Sequence, residues 1–161
     1  MITVWASNQF AVWIEDMDGN YINSLYATKW TADGGYKSRP DSIKTWIEQS
    51  RRDSMEKSEV DAISGATPQA GELSYSWDLT DSSRNAVPQG EYRFFVEGTL
   101  RWKNYVIYSG VIEIGDTAVT VTAEVEYFFE ETNEGYEPNA LTEDSPEVSM
   151  ISGVTARFEP K

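Results

Sequence analysis

Between residues 117 and 129 the chain alternates with a period of two. Val119, Val121, Ala123, Val125 and Tyr127 fall on one side, and Thr120, Thr122, Glu124 and Glu126 on the other. Successive side chains of an extended strand point to opposite faces, so this spelling buries one face and wets the other, as in an antiparallel sheet. Comparable short runs recur at 10–15, 21–29, 74–79, 87–98, 104–114 and 148–158, separated by polar turns. Strands at such intervals predict a mainly β fold, an antiparallel β-sandwich. Nine Tyr and six Trp suit it, because flat rings fill the space between sheets. The 161 residues suffice for one well-buried core and are few for two, so a single domain over 1–161 is expected.

Two punctuating segments qualify this pattern. Asp16-Met17-Asp18-Gly19-Asn20 has a faint calcium-loop spelling, but such a loop needs a bidentate Glu at its twelfth position, where Ala27 stands. A hairpin turn is the better reading. Residues 30–39 form a loop around Gly34 and Gly35, in which Trp30 and Tyr36 have no evident core to fill. Pro40, Asp41 and Ser42 then open the one short helix expected, since Pro fits a first turn and Asp or Ser accepts from free backbone amides. Ile43, Trp46 and Ile47 at i, i+3 and i+4 give that helix one buried face, as a lid on an open edge of the sandwich. Arg51 and Arg52 lie near its negative end. The acidic run from 130 to 146 reads as a solvated loop.

Charge and missing residue types exclude several functions. A net charge of −14 argues against nucleic acid and against anionic lipid surfaces. With no Cys and no His there are no disulfides, iron–sulfur clusters or thiolate metal sites, and the commonest general base and haem ligand are missing. Redox chemistry, if present, is left to an organic cofactor. No apolar run reaches the roughly 20 residues that span a bilayer. The first residues do not spell a signal peptide, so an exported form would have been trimmed.

One stretch is hard to explain by folding alone: Val60-Asp61-Ala62-Ile63-Ser64-Gly65-Ala66-Thr67-Pro68. It reads as a loop of small residues ending in a hydroxyl. Gly65 and Ala66 let a large partner approach the backbone, and Pro68 favours an extended conformation at Thr67. Ser64 and Thr67 lack a His partner, and Lys57 would have to supply any base, so no catalytic triad is visible.

The spacing of Asp61, Ser64, Gly65, Ala66 and Thr67 resembles the flavinylation motif of FMN-binding domains in bacterial respiratory and extracytoplasmic electron-transfer proteins. The resemblance implies Thr67 as the attachment point of FMN through a phosphoester, and Asp61, Ser64, Gly65 and Ala66 as the sequence recognised by an FAD:protein FMN transferase. It implies an electron carrier serving redox partner proteins. Trp30, Tyr36 and Trp46 are candidates for stacking on the ring, with core packing favoured for Trp46. Acidic surroundings would set the potential below that of free FMN. Further on, Trp77-Asp78, a polar turn, Val87-Pro88, Gly90 and Tyr92 are similar to immunoglobulin-like domains of the flagellar hook-capping type. With the upstream motif they resemble more closely a family of predicted periplasmic proteins known as a domain of unknown function. Over about residues 10–115 that resemblance implies an immunoglobulin-like sandwich, with 30–72 as a helix and motif-loop insertion, and a periplasmic or other extracytoplasmic address. The alternative is a tight surface turn with no chemistry in a passive immunoglobulin-like binding or assembly module.

Overall fold

The computed structural model describes the chain except residues 7–8, 67–68, 70, 101–102 and 131–140, and over 3–6 it describes the backbone alone. In chain order the strands are β1 (Ile2–Ala6), β2 (Phe10–Asp16), β3 (Tyr21–Thr28), β4 (Ser64–Gly65), β5 (Gly71–Tyr75), β6 (Gly90–Thr99), β7 (Tyr105–Ile114), β8 (Val119–Thr122), β9 (Glu124–Phe128) and β10 (Ile151–Phe158). They form a four-stranded sheet in the order β5-β1-β10-β8 and a six-stranded sheet in the order β4-β3-β2-β6-β7-β9. Every pairing is antiparallel except β3 with β4. The fold is therefore mainly β and a sandwich, as the alternation predicts.

The main core lies between the sheets. Phe10, Val12 and Ile14 of β2, Phe94 and Val96 of β6, Val106 of β7 and Ile151, Val154 and Ala156 of β10 are all buried there. Each such side chain contributes on the order of 1.5–3 kcal/mol when removed from water. Alternate residues of β2 enter a second core on the opposite face of the six-stranded sheet. Ala11 and Trp13 meet Ala27, Ala32, Ile43, Trp46 and Val60 there. Trp13 stacks on Phe95 at 5.1 Å between ring centroids and 11° between planes. β2 is thus apolar on both faces because both faces are covered.

That second cover is a layer of short helices between β3 and β4: a π-helical turn at Thr31–Gly35, α1 (Tyr36–Ser38), α2 (Lys44–Gln49), a 3-10 turn at Arg52–Ser54 and α3 (Lys57–Ile63). The single short helix expected is joined by these others. It begins at Lys44, later than Pro40, because Ile43 is left-handed at φ 48°. Its stripe of Ile43 and Trp46 is buried as predicted, against the face of the sheet and not at an open edge. Ile43 offers no side chain to cap α2, and Glu97 of β6 does so from a distance. Its carboxylate accepts from the backbone of Trp46 at 2.9 Å and Thr45 at 3.2 Å. α3 carries its own capping box, Glu56 with Glu59.

Three further expectations are corrected. The run from 117 to 129 is not one strand: it is broken at Ala123, whose N–H donates to Val154 at 3.0 Å, and β8 and β9 join different sheets. The strand expected at 74–79 stops at Tyr75, and Leu79 is left-handed at φ 62°. The last strand begins at Ile151, after a 3-10 turn at Pro146–Met150. β1 has no clear signature in the sequence. The turn at 16–20 is a hairpin turn: the Asp16 carboxylate accepts from the backbone of Asp18 and Asn20 and from the Asn20 side chain, at 2.8–2.9 Å.

Candidate functional site

The motif is assembled from the end of α3 and the short edge strand β4. Asp61 lies on α3, which runs through Ile63, so the first four residues expected in a loop are helical and Val60 is buried in the second core. The pattern that hid this helix is its length: seven residues give too little period to read. Asp61 is exposed and paired with Lys57 one turn earlier at 3.0 Å, so that lysine is engaged with the carboxylate. The same contact raises the Lys57 pKa.

At Ser64 the chain becomes extended and joins the sheet beside β3, Ala27 opposite Ser64 and Thr28 opposite Gly65. Tyr26 fixes the backbone on the far side of this pairing. Its hydroxyl donates to the carbonyls of Gly65 at 3.1 Å and Ala66 at 2.7 Å. Its ring sits 4.8 Å from both Phe10 and Tyr75, and burial raises its pKa, so the hydroxyl keeps its proton. A Cβ on Gly65 would lie 2.9 Å from that ring, which explains glycine at this position by packing. Ser64 Oγ is shut off from solvent and has no hydrogen-bond partner among the described residues. Thr67, the predicted attachment point, lies outside the described residues, as does Pro68.

The downstream signature is also explained by contacts. Trp77 donates through Nε1 to the Thr80 carbonyl at 2.8 Å and packs edge-on against Tyr92 at 5.2 Å. Tyr92, near the start of β6, donates to the Pro88 carbonyl at 2.6 Å. A tyrosine bonded back to backbone a few residues upstream is the corner found in immunoglobulin-like sandwiches.

These elements are the ones that a comparison with known proteins picks out. A family model described as predicted periplasmic protein (DUF2271) matches residues 4–130. The chain belongs to the DUF2271 family. The matched span holds the motif, the helical layer and the Trp77–Tyr92 corner, and the extracytoplasmic address read from the sequence is the one the family carries. No helix among the described residues is long and apolar enough to cross a membrane. β10, central to the four-stranded sheet, lies beyond the matched span of this DUF2271 member. No curated protein and no solved structure matches the chain.

The three rings expected to stack on a flavin separate clearly. Trp46 is fully buried and donates through Nε1 to Ser24 at 2.8 Å, so it is a core residue. Tyr36 is half-buried with the Arg52 guanidinium 5.5 Å from its centroid. Trp30 is 50% exposed. Its ring rests on Gly35, where a Cβ would come within 2.6 Å, so one face is backed by the chain. The residues that sequence reasoning missed are Tyr26, which holds the motif, and a cleft beside α3 lined in part by Ala62 and Ile63. No group of acidic side chains suited to a metal occurs among the described residues.

Proposed function

We propose that the protein is an extracytoplasmic electron carrier with FMN attached through a phosphoester to Thr67. The observation that carries the reading is the presentation of the motif. Ser64 and Gly65 pair with β3 on one side alone among the described residues, and Tyr26 holds the backbone through Ala66, immediately before the attachment residue. A recognition sequence held in one conformation on a sheet edge is open to a modifying enzyme and costs that enzyme little ordering entropy. In the modification the Thr67 oxygen bonds the FMN phosphorus of FAD, the pyrophosphate bond breaks, AMP leaves and the hydroxyl proton goes to solvent. Electron carriage between redox partner proteins is the chemistry that FMN supplies once attached.

Co-expression with an FAD:protein FMN transferase tests the reading. Intact mass is expected to rise by FMN less one water, and Thr67→Ala to abolish the gain while Thr67→Ser preserves it. An unmodified wild-type mass under conditions that modify a known acceptor refutes the carrier and leaves the passive binding module.

A further inference from the structure

The cleft beside α3 has a volume of about 680 Å³, within the roughly 300–1,000 Å³ of ligand sites. Asn23, Ser24 and Leu25 line it, which places it along the outer edge of β3, the edge turned away from β2. At one end of that edge β4 pairs with Ala27 and Thr28. At the other, the Ser82 N–H donates to the Ile22 carbonyl at 2.8 Å. Between these two points no strand pairs with the edge among the described residues. The gap runs from Asn23 to Tyr26, about 13 Å of strand at about 3.3 Å per residue. One wall is α3. The other is the segment 76–84, braced by Asn23 Nδ2, which donates to the carbonyls of Thr80 at 3.2 Å and Asp81 at 3.4 Å.

The pairing of β3 with β2 shifts register twice, and each shift leaves one residue of β3 with no partner opposite. Ile22 lies between Tyr21 opposite Glu15 and Asn23 opposite Ile14; Leu25 lies between Ser24 opposite Trp13 and Tyr26 opposite Val12. Such an extra residue is left out of the ladder. For Ile22 the chain itself supplies a partner, since its carbonyl accepts from Ser82. Leu25 receives no such bond from a turn or loop among the described residues, and it stands in the cleft. An extended peptide is the ligand that brings both a donor and an acceptor to a strand edge, by adding a strand to it. Charge narrows the class. Glu59, Asp78 and Asp81 line the cleft against the one guanidinium of Arg84, and apolar Met55 and Ile63 are there to receive aliphatic stems. We propose that this cleft binds a short extended peptide segment bearing Lys or Arg, its backbone paired with β3 at Leu25 and its cations among the three carboxylates. A second copy of this chain, at a net charge of −14, is disfavoured by the same carboxylates. The proposal goes beyond the attachment reading and holds whether or not Thr67 is modified.

The test is a titration of the isotope-labelled full chain, followed by amide chemical shifts, with three probes: acetyl-Val-Lys-Val-Lys-Val-amide, the same peptide N-methylated at its central residue, and the Glu counterpart of the first. Expected are saturable shifts at Leu25, Ala62 and Ile63 with the Lys probe, and binding about tenfold weaker for each of the other two, since one lacks a backbone donor and the other the charge. Ala62→Trp narrows the cleft from an exposed position on α3 and is expected to abolish the saturable shifts at an unchanged urea midpoint. If that variant does not fold, the comparison of the three probes on wild type decides. No saturable shift with the Lys probe, equal binding of all three, or shifts confined to residues away from the cleft overturns the proposal. Self-association on sedimentation that covers Leu25 in place of the probe also overturns it and assigns the edge to a second copy.

Discussion

Replacing Glu97 with Gln separates two effects that oppose each other at the start of α2. The carboxylate is fully buried and caps the helix, accepting from Thr45 and Trp46, which favours the charged form. Burial disfavours that form and dominates, raising the pKa from 4.5 to about 7, with Lys44 pulling weakly the other way. At about 1.36 kcal/mol per pH unit the difference is worth about 3 kcal/mol. The folded-state value lies above the unfolded one. The corresponding stability is therefore complete below pH 4.5 and is lost as pH rises through 7. Gln mimics the neutral carboxyl in shape and keeps one acceptor, so Glu97→Gln is expected to match wild type near pH 4.5. Near pH 8 it should exceed wild type by about 3 kcal/mol, or about 6–12 °C in Tm for a domain of this size. Urea unfolding followed by Trp fluorescence across about pH 4.5–8 measures this. Taking the difference between the two proteins removes the contribution of Glu15, whose pKa burial also raises. A Glu97→Gln protein that is less stable at about pH 8, or a difference independent of pH, would show that the cap's charged hydrogen bonds outweigh desolvation.

Packing sets the remaining outcomes. Gly65→Ala drives a methyl into the Tyr26 ring and is expected to cost about 1–3 kcal/mol and to slow modification of Thr67, read by denaturation and by the time course of intact mass. Tyr26→Phe removes the two bonds to the motif carbonyls without changing shape. It should cost about 1–3 kcal/mol and increase amide exchange at Gly65 and Ala66, and unchanged exchange there counts against Tyr26 as the clamp. Gly98→Ala places a methyl on the Ile151 side chain between the sheets and is expected to cost about 1–3 kcal/mol with no effect on modification.

The sandwich was legible because strand alternation is local, and the Ile43 and Trp46 stripe was legible because it fills one helical face. The features that were not legible depend on contacts distant in sequence. Whether 117–129 continues or switches sheets at Ala123 is decided by Val154. α2 begins at Lys44 because Glu97, far along the chain on β6, supplies its cap. α3 is short, and its apolar Val60 looks no different in spelling from the small residues after it. The motif itself was visible as a spelling, and its clamp was not: Tyr26 reads like any aromatic in a strand until Gly65 is placed against it.

The helical layer and the motif are parts of one connection. Two parallel strands cannot be joined by a tight turn; they need a crossover of a dozen or more residues, usually helical. Residues 29–63 are that crossover, and they return the chain to β3 with Ser64 beside Ala27. The layer also separates charge. Residues 29–61 hold seven Lys or Arg and seven Asp or Glu, which leaves six cations against twenty carboxylates elsewhere, so the whole net charge of −14 lies outside the crossover. A neutral layer packs on the sheet without the self-repulsion that an acidic one would carry. The surface around α3 is then governed by local groups, the Lys57–Asp61 pair and Arg84 among them, more than by the overall charge. At physiological ionic strength charges beyond about 8 Å are largely screened. The field in the cleft beside α3 therefore comes mainly from the groups that line it, Glu59, Asp78, Asp81 and Arg84, and little from the acidic body of the protein.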